Sequence, residues 1–156
     1  MGTGTKLDVR IVTLEPMHVA SAHGFGPSPE MIAWDKILRW AGENGLLDGD
    51  EAPTYYGFDN PMPSPGSLNY GYEQWIVVGP DAVGNDEVTI KKFSGGMYAV
   101  TRCKLPQIGE AWKRLVAWRE DSKYRCAPHE CLEQMISSPD TPFDDMVLDI
   151  FLAIAE

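Results

Sequence analysis

The sequence has few positive charges and no cluster of them. Its 156 residues include 13 Lys and Arg against 23 Asp and Glu, a formal net charge of -10 at pH 7. Proteins that bind nucleic acids carry Lys/Arg patches that follow the phosphates. We therefore expect no nucleic-acid partner, and a cationic ligand fits this charge better. The same charge can also serve solubility alone.

Long apolar runs are missing as well. No window approaches the roughly 18 to 20 apolar residues that a membrane-spanning helix needs. The N-terminus lacks a basic segment followed by an apolar run, the pattern of a secretory signal. We expect a cytoplasmic protein with no membrane partner.

The sequence contains few cysteines, and their number is odd. Three cysteines, at positions 103, 126 and 131, provide no disulfide framework, which agrees with a reducing compartment. Cys126, His129 and Cys131 lie close in sequence, but no fourth ligand is spaced to complete a tetrahedral zinc site. We expect neither a metal nor a cofactor.

What the sequence does contain is a near repeat of itself. Ala33-Trp34-Asp35-Lys36-Ile37-Leu38-Arg39-Trp40 returns 78 positions later as Ala111-Trp112-Lys113-Arg114-Leu115-Val116-Ala117-Trp118. Length and repeat together predict one domain, residues 1–156, with pseudo-repeat halves at about 5–80 and 85–156. Functional residues should stand out where the copies differ. Glu133 falls where the first half has Tyr55.

Hydrophobic periodicity predicts the same elements in each half. In the first half we expect strands at 7–14, 17–23, 54–58 and 72–78, the first two forming a hairpin or lying near each other, and a helix from Pro29 to Gly42. In the second half we expect strands at 87–93, 97–103, 131–137 and 146–155 and a helix at 106–121. This order predicts an α+β fold of two tandem ββαβ-type halves, with an antiparallel sheet, two helices on one face and a ligand cleft between the halves.

Strand alternation predicts which face of the sheet binds a ligand. The side chains on one side of the last strand are all aliphatic and should pack under the helices: Leu148, Ile150, Leu152 and Ile154. The opposite face mixes carboxylates with aromatics, namely Glu73, Asp149, Trp75 and Phe151, to which the repeat adds Glu133 and Tyr55. Such a mixture is typical of a ligand site, although an amphipathic outer sheet face is the alternative. A one-residue slip would exchange the faces, so the choice between Tyr55 and Tyr56 stays open.

A carboxylate held against aromatic rings with little water is costly to desolvate unless a cation or a donor compensates it. A lipophilic cation supplies both charge and apolar surface, and cation–π attraction adds about 0.5 to 2 kcal/mol. The same carboxylate could instead act as a general acid or base with a nearby tyrosine hydroxyl. The residues alone do not separate these two uses.

The chain resembles, over almost its full length, the GyrI-like small-molecule-binding domains, which also form the effector-binding parts of multidrug-sensing transcription regulators. The matching segments are 33–40 with 45–47, 55–61, 95–100, Leu132-Glu133 and Asp149-Ile150. The resemblance implies that Glu133 faces a bound cation and that Asp149 is a second acidic position. It also implies that Trp75, Tyr55 and Trp112 are aromatic walls. Leu132 departs from the family, which commonly has an aromatic residue there.

We therefore predict a standalone protein that binds lipophilic, cationic or aromatic small molecules, for drug sensing or sequestration. The predicted ligand-binding residues are Glu133, Trp75, Tyr55, Asp149, Phe151, Trp112 and Tyr98. The resemblance also implies two alternatives: a hydrolase of cyclopropane-containing or similar toxins that uses Glu133 with the hydroxyl of Tyr55, and a gyrase-inhibitor-like interaction module. No helix-turn-helix precedes the first strand, so we expect no DNA-binding domain, and we expect a monomer or weak homodimer.

Overall fold

The computed structural model describes residues 7–49, 52–138 and 140–156 and has an α+β fold. The strands are β1 Arg10–Leu14, β2 Met17–Gly26, β3 Tyr55–Asp59, β4 Tyr70–Val78, β5 Val88–Phe93, β6 Gly96–Lys104, β7 Arg125–Cys126, β8 Leu132–Met135 and β9 Val147–Ala155. The helices are α1 Pro29–Glu43 and α2 Ile108–Glu120. None of the helices in the described part of the chain is both long and apolar enough to cross a bilayer.

Contacts divide the chain into two compact units. The first unit runs from Pro16 to Ser94, and the second combines the chain from Gly95 onward with the chain up to Glu15. These units do not coincide with the predicted halves at 5–80 and 85–156, because β1 belongs to the second unit and β5 to the first. Residues 5 and 6 of the predicted first half lie outside the described residues.

In the first unit, β2 pairs antiparallel with β4 and β5, and β4 pairs with β3. The buried residues of α1 include Ala33, Ile37 and Ala41, whose spacing forms one apolar stripe of a helix. Gly24 of β2 lies directly under the start of this helix, since a Cβ there would be 2.3 Å from the carbonyl oxygen of Pro29. A residue without a side chain therefore lets α1 approach β2 closely.

In the second unit, β6 pairs antiparallel with β1 and β9, and β9 also pairs with β8 and β7. The core against α2 consists of Ala99, Ala111, Leu115, Ile150, Leu152 and Ile154. The prediction that the aliphatic set of the last strand packs under a helix is confirmed for its three residues in this core.

Two expected features differ in the structure. β1 pairs with β6 and β2 with β4 and β5, so β1 and β2 do not form a hairpin, which was one of the two arrangements expected. The predicted helix start at Pro106 lies in a 3₁₀ turn, Leu105–Gln107, and the α-helix begins at Ile108. A proline has no N–H to donate, so a tight turn before the first full helical turn accommodates it.

Candidate ligand-binding site

Glu133 lies beneath α2 in the second unit. Its strand, β8, places it opposite Ile150 of β9, a fully buried residue of the core against α2. Residues opposite each other in antiparallel strands project to the same face, so Glu133 projects toward the helix. The indole Nε1 of Trp112 in α2 donates a hydrogen bond to Glu133 Oε2 at 3.1 Å. Both side chains are partly buried, and together they form a carboxylate-indole pair.

This position corrects the face expected for Glu133. The sequence places Glu133 with Asp149 on the face away from the helices, and that prediction is wrong. Asp149 pairs with Gln134, and Glu133 pairs with the next residue of β9, Ile150. The two carboxylates therefore project to opposite faces, because successive residues of a strand alternate.

The charge of Glu133 acts on a neighbouring thiol. Burial, together with the negative charges of Glu133 and Asp149, raises the pKa of Cys103 to about 11. Water screens the charge of a partly buried carboxylate only weakly, so that charge acts strongly on neighbouring groups. Glu133 therefore provides negative potential within the second unit, and Cys103 stays a neutral thiol.

Tyr55 has the corresponding position in the first unit. It pairs with Ile76 of β4, and its ring lies 4.9 Å from the ring of Trp34 in α1, tilted by 60°. Burial raises the pKa of its hydroxyl. Tyr55 thus lies on the helix side and Tyr56, opposite Trp75, on the other side. The expected grouping of Tyr55 with Trp75 on one face is wrong.

Glu73 lies on the face of the first unit that points away from α1. The carboxylate is 3% exposed and accepts four hydrogen bonds: from Ser21 Oγ at 2.7 Å, Trp75 Nε1 at 2.8 Å, Asn60 Nδ2 at 2.8 Å and Lys91 Nζ at 2.5 Å. Burial alone would raise its pKa, but these four donors lower the pKa to about 2. Glu73 is therefore an ionised carboxylate whose charge is compensated inside the unit.

Trp75 belongs to a buried aromatic group on this same face. Its ring centroid lies 5.2 Å from Phe58 in an edge-to-face arrangement and 5.3 Å from Phe93. Only 4% of Trp75 is exposed. Its indole therefore serves the core of the first unit and the hydrogen-bond network of Glu73.

Asp149 lies on the face of the second unit that points away from α2. It is buried and forms salt bridges with Arg10 Nη2 at 2.8 Å and Arg102 Nε at 2.8 Å. The hydrogen bond to Asp149 and its charge raise the pKa of Arg102. Two guanidinium groups thus compensate the carboxylate that the sequence predicts as a second acidic ligand position.

Phe151 and Tyr98 are buried near Asp149. Their ring centroids are 5.4 Å apart in an edge-to-face arrangement. The Tyr98 hydroxyl donates to the backbone oxygen of Glu130 at 2.6 Å, and its ring contacts His129 at 4.9 Å. Both aromatic residues therefore pack inside the second unit.

Sequence reasoning missed the partners of these carboxylates. Lys91 forms an ion pair with Glu73, and it is not identified as a partner from the sequence. Arg10 and Arg102, which bind Asp149, are not singled out at all. Register is the signal that identifies Arg102, since it lies directly opposite Asp149 in the β6–β9 pair, but only the folded sheet provides that register.

A fold of antiparallel strands covered by helices, with a partly buried carboxylate under a helix tryptophan, suits a domain that binds small molecules. The chain belongs to the family of the GyrI-like small molecule binding domain, which matches residues 7–155. The family expected from the sequence is confirmed. Comparison with curated protein sequences gives no significant match.

Several solved structures are similar to this chain. A hydrolase from Listeria innocua has a TM-score of 0.71 at 11% identity and covers 98% of this chain and 94% of its own. The EcmrR C-terminal domain has a TM-score of 0.72 at 12% identity, with coverages of 97% and 99%. SAV2435 bound to tetraphenylphosphonium has a TM-score of 0.56 at 10% identity, with coverages of 96% and 94%. At such identities the likeness shows the fold alone.

Proposed function

We propose that this protein binds lipophilic cations, or aromatic compounds with a cationic group, at the Glu133–Trp112 pair. The observation that carries the proposal is the hydrogen bond from the Trp112 indole to the partly buried Glu133 carboxylate, under α2. Sensing or sequestration of such compounds is the role that fits a domain of this family.

The physical argument is the match between this pair and a lipophilic cation. A carboxylate with limited access to water gains from a cation that has no tightly held hydration shell. The indole adds a polarisable face, and a cation over an aromatic ring gains about 0.5 to 2 kcal/mol. SAV2435, a protein of the same fold, has been solved with tetraphenylphosphonium, a cation of this kind, which makes it the probe of choice.

The other predicted ligand-binding residues have two different roles in this proposal. Tyr55 is retained as a ligand-binding candidate, because it lies on the helix side against Trp34. Trp75, Phe151, Tyr98 and Asp149 are assigned a supporting role, because each is buried and engaged with neighbours in its own unit. The ligand contacts are thereby limited to the helix sides of the strands.

Tandem halves are part of the same proposal. The first strand of each predicted half pairs with the second strand of the other half, β1 with β6 and β5 with β2. In addition, Trp34 contacts Tyr55 and Trp112 contacts Glu133, and the repeat aligns these residues with one another. Duplication followed by a reciprocal exchange of first strands accounts for both observations.

Calorimetric titration of the purified protein with tetraphenylphosphonium tests the proposal. We expect Glu133→Gln, which removes the charge and keeps the shape, to weaken binding roughly tenfold, equivalent to about 1.4 kcal/mol. Tetraphenylborate, an anion of the same shape, should bind far more weakly than the cation. Glu130→Gln is the matched control, since it removes an exposed charge three residues away and should leave the affinity unchanged.

Two outcomes would contradict this function. Equal affinity of wild type and Glu133→Gln would show that the carboxylate is not the charge partner. Equal binding of the cation and of tetraphenylborate would show that charge plays no part. Chromatography of the same mixtures tests the hydrolase alternative. New products that form with wild type and not with Glu133→Gln would show that the protein is an enzyme.

A further inference from the structure

Two of the three cysteines lie beside one residue of β9. The Cys131 Sγ accepts a hydrogen bond from the backbone N–H of Ala153 at 3.4 Å. The backbone N–H of Ala127, the residue after Cys126, donates to the carbonyl oxygen of the same Ala153 at 3.4 Å. Cys126 and Cys131 therefore approach β9 at adjacent points, on either side of Ala153.

The spacing along β9 suits a covalent link between them. Cys126 pairs with Ile154, and extending the β8 register by one residue from Leu132, opposite Phe151, places Cys131 beside position 152. Two residues of a strand span about 6.6 Å, within the range of roughly 4.4 to 6.8 Å between the Cα atoms of disulfide-linked cysteines. The segment between the cysteines contains no helix or strand.

The surroundings divide the two thiols into an accessible one and a sheltered one. Cys126 is exposed and Cys131 is partly buried. Burial raises the pKa of Cys131, while the hydrogen bond from Ala153 and the charge of Arg119 oppose this rise. Arg119 Nε is buried and has no hydrogen-bond partner among the described residues. A guanidinium with an unused donor thus stands near the sheltered sulfur.

We propose that Cys126 and Cys131 are a redox-active pair, oxidised by hydroperoxides to an intramolecular disulfide. This inference is independent of the ligand-binding function proposed above. Nothing in it requires Glu133 or a bound small molecule.

The oxidation proceeds in two balanced steps. The Cys126 thiolate attacks hydrogen peroxide; an S–O bond forms, the O–O bond breaks, and hydroxide leaves and takes up a proton to become water. The Cys131 sulfur then gives up its proton and attacks the Cys126 sulfur; the S–S bond forms, the S–O bond breaks, and the hydroxide that leaves takes up a proton to become a second water. Two thiols lose two electrons in total, and a thiol reductant reverses the change.

Thiol counting on the reduced full-length protein tests this pair. After treatment with hydrogen peroxide and denaturation, two of the three thiols should be lost, and the protein mass should fall by two hydrogen atoms. Peptide mapping without reductant should find Cys126 joined to Cys131. Cys103→Ser is the matched control and should lose two thiols in the same way, whereas Cys131→Ser should form no intramolecular link.

Three results would overturn the proposal. One is a gain of oxygen on Cys126 with Cys131 still titratable. Another is a link through Cys126 between two protein molecules in place of the internal bond. The third is a disulfide that includes Cys103.

Discussion

Glu73→Gln measures how much the compensated carboxylate of the first unit stabilises the fold. Glu73 is 3% exposed, and its pKa falls from the ordinary 4.5 to about 2. At about 1.4 kcal/mol for each pH unit, this difference corresponds to about 3 kcal/mol of folding free energy at neutral pH. Because the folded-state pKa lies below the unfolded one, this stabilisation is present above pH 4.5 and is lost as the pH falls toward 2.

Glutamine keeps the size of the side chain but not its hydrogen-bonding pattern. Its NH₂ group would face donors such as Asn60 Nδ2, and it offers no charge to Lys91. Lys91 is 45% exposed and can be rehydrated, which limits the penalty. We therefore expect the variant to be less stable than wild type by about 2 to 4 kcal/mol at pH 7. The deficit should be about 2 kcal/mol smaller at pH 3, where the wild type has itself lost that stabilisation.

Urea unfolding followed by tryptophan fluorescence measures the stability deficit of Glu73→Gln at pH 7 and at pH 3. The control is Glu87→Gln, because the Glu87–Arg39 ion pair is exposed, with 43% and 57% of the two side chains accessible. Such a pair contributes less than about 1 kcal/mol. A Glu73→Gln deficit equal to that of Glu87→Gln, or equal at both pH values, would refute the reasoning.

The same unfolding assay checks two further contacts. Gly24→Ala places a Cβ 2.3 Å from the Pro29 carbonyl oxygen, so α1 must move, and we expect a loss of about 2 kcal/mol or more. Gly109→Ala, where a Cβ in α2 meets open space, should be neutral or stabilising by up to about 1 kcal/mol. Tyr98→Phe removes the hydroxyl that donates to Glu130 O and should lower the stability by about 1 to 2 kcal/mol; an unchanged stability would contradict this account of the buried hydroxyl.

The elements could be predicted because their patterns are local. The apolar stripe of α1 and the proline at its start define that helix within one stretch of chain. The alternation of aliphatic residues in β9 likewise indicates which of its sides meets a helix. In both cases the signal lies within the element itself.

The face of Glu133 could not be predicted because β8 carries no comparable alternation. Each of its sides combines an apolar and a polar residue, Leu132 with Gln134 and Glu133 with Met135. Tyr55 and Tyr56 are equally uninformative, because two tyrosines in succession place one ring on each side. The register that decides both cases is set by pairing with β9 and β4, far away in sequence.

The pairing of β1 with β6 could not be predicted from the sequence, for a related reason. Glu15-Pro16 separates β1 and β2 by a short connection, and short connections usually join neighbouring strands. The observed partner of Arg10 is Val100, and no local feature marks so distant a contact. The salt bridge of Arg10 with Asp149 follows from this pairing and was missed with it.

The three carboxylates that the sequence groups together have different chemistry in the structure. Glu73 is compensated by Lys91 and three neutral donors, and Asp149 by Arg10 and Arg102. A ligand cation could use either carboxylate only by displacing a cation that is already in place, so most of the gain would be lost. Glu133 is more accessible than either and lies beside a neutral indole donor. Because Glu133 is more exposed than Glu73 and Asp149, it is the carboxylate at which we place the proposed cation site.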